Sequence, residues 1–181
     1  MYRWAFSKAT DEGNDKALSQ LRNLRPPPYE QFADYYTMTD WIGHFSAHEH
    51  QPVTRWRFTC LALESPFYSW VDLIRIPLGA KFSFSSLWRE AFYGIDLLKQ
   101  APRLEVPVYF FLGRHDHTAT ASAAMAERYF SALDAPLGKR LIWFENSAHW
   151  PQLQEPGRFE MEMIRAASEI LVRRSEPHAG K

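Results

Sequence analysis

Asp116 and His149 are the two residues of this 181-residue chain whose types and positions best suit acid–base chemistry. Each follows a short apolar run: residues 106–112 precede Asp116, and residues 141–144 precede His149. A buried carboxylate beside an imidazole fixes the tautomer of the ring and stabilises the imidazolium that forms when the ring takes a proton. The pair therefore suits a reaction in which His149 shuttles a proton while Asp116 orients it.

The elements that must bring this pair together are a strand, a helix and a second strand. Both apolar runs are unbroken and end at turn residues, a pattern typical of strands covered on both faces. Residues 120–133 have helical spacing, with Thr118 or Thr120 as the N-cap. Parallel strands joined by such a helix place the loops after their carboxyl ends at one crevice. The spacing also leaves open that Asp116 caps a helix or turn and that His149 is an ordinary loop histidine.

Histidine clusters raise a metal site as a further alternative. His44 and His48 have the i,i+4 spacing that can place two ligands on one helix face, and His115 and His117 flank Asp116. The chain has no H-E-x-x-H motif and no cysteine cluster to support these histidines. We therefore predict no metal at either cluster.

Two segments of the chain resemble the C-terminal part of the α/β-hydrolase superfamily. They are V-P-V-Y-F-F-L-G-R-H-D-H-T-A at residues 106–119 and W-F-E-N-S-A-H-W-P-Q-L-Q-E-P at residues 143–156. They are most similar to the proline iminopeptidase-like branch, in which the triad acid lies in a G-x-x-D turn and the histidine in an S-x-H or G-x-H turn. Residues 113–116 match the first turn, and residues 147–149 match the second.

The resemblance extends to the upstream half of the chain. Residues 5–21 and the P-P-P-Y of residues 26–29 resemble the start of that branch's helical cap, which covers the active site. By this resemblance Asp116 is the triad acid and His149 is the general base. The implied reaction is hydrolysis of ester or amide bonds, aminoacyl bonds among them, without a cofactor.

The nucleophile of such a triad is missing from the sequence. In the resembling family the serine precedes the acid, in a G-x-S-x-G elbow between a strand and a helix. None of the eight glycines lies four residues from another. Ser7, in A-F-S-K-A, is preceded by too few residues for a strand, so we expect it to be a helix residue. We expect a C-terminal hydrolase fragment that lacks the elbow and the oxyanion loop and is inactive on its own.

The predicted fold class is α/β: a partial α/β-hydrolase fold with a helical cap, then a βαβ unit and a C-terminal helix. The cap spans residues 1–100, the C-terminal part of the core spans residues 101–175, and residues 176–181 form a polar tail. In the cap, Asn14 and Ser65 are predicted N-caps, and helices are predicted at residues 2–11, 15–23, 31–45, 65–76 and 85–98. The last helix, at residues 156–173, is predicted to bury Phe159, Met163, Ala167, Ile170 and Leu171.

The composition of the chain limits the classes of partner that we expect. The 21 basic and 21 acidic residues balance, which argues against nucleic acid or an anionic membrane as the main partner. No apolar run approaches the roughly 20 residues of a spanning helix. Cys60 is the only cysteine, which favours a reducing compartment, so we expect a cytoplasmic protein. The expected partners are a small-molecule or short-peptide substrate in the full-length protein, and a second copy of this chain, through self-association at an exposed sheet edge.

Two origins for a chain with half a catalytic site remain open. In the first, the start of the sequence is an artefact of gene modelling or of a split gene, and the enzyme is longer. Alternatively, the chain is a non-enzymatic binding or interaction module derived from a truncated hydrolase. An in-frame G-x-S-x-G upstream of Met1 would separate them.

Overall fold

The described residues of the chain form two compact units. The computed structural model describes residues 1–27, 29–46, 55–117 and 122–175. The first unit comprises Met1–Asp96 with His117–Ser122, and the second comprises Leu97–Asp116 with the chain from Ala123 onward. The first contains α1 Tyr2–Asp11, α2 Asp15–Leu24, α3 Phe32–Ser46, α4 Arg55–Glu64 and α5 Trp70–Tyr93. The second contains α6 Leu97–Gln100, β1 Val108–Gly113, α7 Ala123–Ala132, β2 Lys139–Phe144, α8 Pro151–Gln154 and α9 Pro156–Ser175.

The core of the first unit lies among α1, α2 and α3. Ala5 and Ala9 are fully buried on α1, and their small side chains let the neighbouring helices approach closely. Leu21 and Phe45 are among the largest fully buried side chains of the same cluster. The Asn14 side chain accepts a hydrogen bond from the Ala17 amide at 3.0 Å, so the predicted N-cap of α2 is confirmed.

The predicted helices at residues 65–76 and 85–98 were wrong, because one 24-residue helix, α5, runs through most of both segments. Its N-cap is Ser69, not Ser65: Ser69 and Asp72 form a reciprocal capping box. The Ser65 hydroxyl instead accepts a hydrogen bond from the Phe67 amide in the preceding turn. Pro77 does not end the helix. A proline removes one intrahelical hydrogen bond, and the remaining bonds of this long helix continue past it.

The second unit is built on a two-stranded parallel sheet with a helix on each face. β1 and β2 pair in register from Val108 opposite Lys139 to Gly113 opposite Phe144. Phe110 packs against Phe130 of α7 at a ring distance of 5.4 Å. Its neighbour Phe111 packs at 5.3 Å against Phe159 of α9, because successive strand residues face opposite ways.

The two predicted strands and the helix between them are thus present, with shifted bounds. β2 begins two residues before the apolar run, at Lys139. α7 begins at Ala123, and the predicted caps Thr118 and Thr120 lie outside the described residues. The described chain therefore mixes helices with a small parallel sheet. Along the described residues, no helix combines the length and the apolarity that a bilayer crossing requires.

The predicted buried stripe of α9 was largely wrong. Phe159 and Ile170 are partly buried, whereas Met163, Ala167 and Leu171 are exposed. Ala166 is the buried residue, and Glu162 and Glu169 turn inward beside it. The physical reason is a charged partner on the sheet: Arg140 of β2 lies 2.7 Å from Glu169. The Tyr109 hydroxyl donates to the same carboxylate at 3.0 Å.

Candidate functional site

Asp116 and His149, the predicted site residues, are in direct contact. Asp116 lies three residues beyond the end of β1, and His149 lies five residues beyond the end of β2. The imidazole Nδ1 is 3.0 Å from the carboxylate Oδ2. Asp116 is 8% exposed, whereas the His149 side chain is 38% exposed. The carboxylate is thus shielded from water while the ring remains accessible.

The turn that carries Asp116 is fixed by backbone hydrogen bonds to the end of β2. The Arg114 amide donates to the Phe144 carbonyl at 2.9 Å, and the His115 amide donates to the Ser147 carbonyl at 3.0 Å. Pairing between the two chain segments therefore continues past the end of the sheet. As a result, the turns that carry the acid and the histidine are held side by side.

Gly113 makes this close approach possible. A Cβ at position 113 would overlap the backbone carbonyl oxygen of Ala148 and would lie 2.5 Å from that of Ser147. The glycine is needed for space, since its backbone is not in the left-handed region. Gly113 is the first residue of the G-x-x-D turn, and the contact explains why glycine stands there.

The turn that carries His149 is held by side chains at the end of α8. Ser147 is fully buried, and its hydroxyl donates to Glu155 Oε2 at 2.6 Å. The Asn146 amide donates to the same oxygen at 3.1 Å, and the Ala148 amide donates to Gln154 Oε1 at 2.9 Å. Sequence reasoning missed these residues. Gln154 and Glu155 follow His149 by five and six residues, and their types alone did not indicate a contact with this turn.

An exposed ion pair joins the two turns at their outer rim. Arg114 contacts Glu145 through two hydrogen bonds, at 3.0 Å and 2.9 Å, and its guanidinium lies 3.9 Å from the centre of the Trp143 ring. The hydrogen bond from Arg114 lowers the pKa of Glu145. Exposed pairs of this kind add little stability, so this one contributes mainly to orientation.

The electrostatics of the pair favour the protonated histidine. The hydrogen bond to Asp116 raises the pKa of His149 above its ordinary value of 6.5, and burial opposes that rise. With Asp116 accepting from Nδ1–H, the ring has its Nε2 as the atom that can take and return a proton. This is the arrangement of an oriented general base.

The other histidines do not gather into a metal site within the part of the chain that the structure describes. His117 stacks on Trp4 at a ring distance of 4.2 Å, and His44 contacts Trp41. No group of three or more histidine, cysteine or acidic side chains among the described residues could hold a metal ion. His48 lies outside the described residues.

Ser7 lies in the middle of α1, as predicted, and not at a strand-to-helix turn.

Comparison with known proteins found two curated relatives that match part of the chain. "Probable aminopeptidase YbaC" of Bacillus subtilis (strain 168) is 36% identical over 89 residues, which are 49% of this chain and 27% of the relative. "AB hydrolase superfamily protein YclE" of the same strain is 36% identical over 76 residues, which are 41% of this chain and 25% of the relative. The chain thus spans about a quarter of the length of these relatives. These matches support an α/β-hydrolase relationship.

No protein-family model matches the chain, and no solved structure matches it significantly.

Proposed function

We propose that this chain forms the cap and the C-terminal part of the core of an α/β hydrolase. In this proposal Asp116 and His149 are the acid and the base of a Ser-Asp-His triad. Residues 1–100 form the cap, residues 101–175 belong to the core, and residues 176–181 are a polar tail. The proline iminopeptidase-like branch is the subgroup we assign.

The observation that carries the proposal is the contact between the Asp116 carboxylate and Nδ1 of His149 at 3.0 Å. The contact is formed by loops that follow adjacent parallel strands, where open α/β sheets place their sites. Burial of the carboxylate and exposure of the ring match the roles of orienting acid and working base. The names of the two partial matches, an AB hydrolase superfamily protein and a probable aminopeptidase, agree with the hydrolytic reaction proposed for this chain.

The proposed reaction is acyl transfer to water. A serine from a part of the protein outside this sequence attacks the carbonyl of an ester or amide, and His149 takes the serine proton at Nε2. His149 then gives that proton to the leaving alcohol or amine. Water, activated by the same nitrogen, hydrolyses the acyl-enzyme. Asp116 stays ionised throughout and stabilises the imidazolium. The substrate is a small ester or a short peptide, aminoacyl compounds among them.

The test begins with the genomic sequence upstream of Met1. We expect an in-frame G-x-S-x-G, and the longer protein should react with a fluorophosphonate probe and hydrolyse aryl esters or aminoacyl amides. Asp116→Asn and His149→Ala should each lower kcat by several orders of magnitude. His115→Ala removes a histidine from the same turn as Asp116 and should leave kcat near the wild-type value.

Two results would overturn the proposal. One is an active longer protein in which His149→Ala retains full activity. The other is fluorophosphonate labelling or ester turnover by the present chain alone, which would mean that the nucleophile is inside it.

The second candidate function is that of a non-enzymatic interaction module. It is favoured by a row of exposed apolar side chains at four-residue spacing on α5, including Trp70, Ile74 and Phe82. Such a row is typical of a helix that binds another surface. A credible start signal at Met1 with no elbow upstream would favour this candidate over the enzyme.

A further inference from the structure

The turn that carries His149 is held by one carboxylate, that of Glu155. Its hydrogen-bond partners are Asn146, Ser147 and Arg158. Glu155 caps the C-terminus of α8, and its amide donates to the Pro151 carbonyl at 2.8 Å. One turn of helix thereby brings the chain back towards the turn that follows β2. The Glu155 side chain is 14% exposed, so it is largely shielded from water.

Both oxygens of this carboxylate are in use. Oε2 accepts from the Ser147 hydroxyl at 2.6 Å and from the Asn146 amide at 3.1 Å. Oε1 faces Arg158 Nη1 at 3.4 Å, and the other end of that guanidinium donates to the Trp143 carbonyl at 2.6 Å. The carboxylate therefore links the end of β2, the turn and the start of α9.

The turn would be poorly held without these bonds. Ser147 is fully buried, so its hydroxyl has no route to water if its acceptor is lost. A buried donor that loses its partner keeps the full cost of its desolvation. The Ser147 carbonyl also accepts from the His115 amide, so a shift of this residue would move the Asp116 turn as well.

We propose that Glu155, acting through Ser147 and with Gln154 beside it, is the positioning residue that keeps the His149 ring in contact with Asp116. The inference rests on the proposed function, since positioning matters only if the pair does chemistry. Glu155 fixes the backbone of residues 146–148, and the ring follows that backbone. The raised pKa of His149 has Asp116, not Glu155, as its charged cause. The effect of Glu155 is therefore one of placement.

The test is a nitrogen-15 NMR titration of the His149 ring in this full chain. In the wild type we expect a protonated Nδ1 and a titration midpoint above 6.5. Glu155→Ala should shift the midpoint down towards that ordinary value and broaden the Nδ1 proton signal. Glu155→Gln retains an oxygen acceptor, so its titration midpoint should lie between those of the wild type and Glu155→Ala.

Glu145→Ala is the matched control, because it also removes one carboxylate charge, here from the turn that Glu155 contacts. Glu145 contacts Arg114 at the exposed rim, so its loss should leave the His149 midpoint in place. Ser147→Ala tests the link without any change of charge and should give part of the Glu155→Ala shift. It also keeps the proposal testable if Glu155→Ala fails to fold.

Two results separate this inference from the proposed function. If Asp116→Asn lowers the midpoint but Glu155→Ala and Ser147→Ala leave it unchanged, the positioning role is wrong and the pair stands. If Asp116→Asn also leaves the midpoint unchanged, the pair itself is wrong, and both proposals fall.

Discussion

At the scale of single residues, the Asp116–His149 contact links the protonation of the ring to the stability of the second unit. The pKa of His149 is raised in the folded chain above 6.5, the ordinary value expected when the chain is unfolded. A group of this kind contributes stability that is fully present below the unfolded pKa and is lost as pH rises through the folded pKa.

The first prediction follows from this sign. The free energy of unfolding of the wild type, relative to Asp116→Asn, should be largest just below pH 6.5 and should shrink as pH rises through the raised pKa of His149. Urea unfolding at a series of pH values measures it. Glu145→Gln is the control: its partner Arg114 stays charged, so its effect should be constant over this range. A pH-independent difference for Asp116→Asn would contradict the linkage.

Gly113 gives the second prediction. Gly113→Ala should destabilise the chain by about 1–3 kcal/mol, because the new methyl group meets backbone that cannot rotate away. It should also disturb the His149 signals, since the obstructing carbonyl belongs to Ala148. Gly157→Ala is the matched control: its Cβ meets nothing within 4 Å, and alanine favours the helix by up to ~1 kcal/mol. Equal effects of the two changes on the urea midpoint would contradict the steric argument.

At the scale of elements, the site follows from the order of strands and loops. β1 and β2 are adjacent and parallel, so the turns that follow them lie at the same end of the sheet. The two apolar runs made this arrangement predictable from sequence. Lys139 and Arg140 were missed as strand residues because charged side chains contradict an apolar run. They belong to β2 because their backbone pairs with Val108 and Tyr109 of β1, and Arg140 has Glu169 of α9 as its charged partner.

Other features could not be predicted because they depend on which segments meet in space. The bond between Ser147 and Glu155 joins residues whose separate types say nothing about contact. The inward turn of Glu162 and Glu169 contradicts the apolar periodicity of α9, and the partners Arg140 and Tyr109 on the sheet explain it. Residue type and spacing suggested the acid and the histidine, whereas tertiary contacts determine what supports them.

The N-terminus of α5 gives the third prediction. Ser69→Ala should destabilise the chain by about 1 kcal/mol, because it removes the hydroxyl half of the capping box with Asp72. Ser65→Ala should change stability by less than about 0.5 kcal/mol, since its 3.3 Å bond to the Phe67 amide lies in an exposed turn. Urea unfolding followed by helical ellipticity compares the two. A larger loss of stability for Ser65→Ala than for Ser69→Ala would favour Ser65 as the N-cap, as the sequence predicted.

At the scale of the whole molecule, charge and exposed apolar surface act together. The chain has no net charge, so long-range repulsion between copies is weak. Large apolar side chains are exposed in both units, among them Trp70 and Phe82 of α5 and Ile164 and Leu171 of α9. Both features favour association of this chain with apolar partners.

The last prediction is that the purified chain self-associates through its sheet. Among the described residues the sheet has two strands, so β1 and β2 each have one edge without a neighbouring strand. An apolar edge of this kind invites pairing with another chain. Sedimentation and light scattering over a concentration series should show oligomers. Ile74→Lys on α5 and Ile164→Lys on α9 change exposed helix positions, so the oligomers should persist in both variants. If either change disperses the oligomers, the contact between copies lies on that helix and not at the sheet. A monodisperse wild-type monomer with one cooperative melt would refute association.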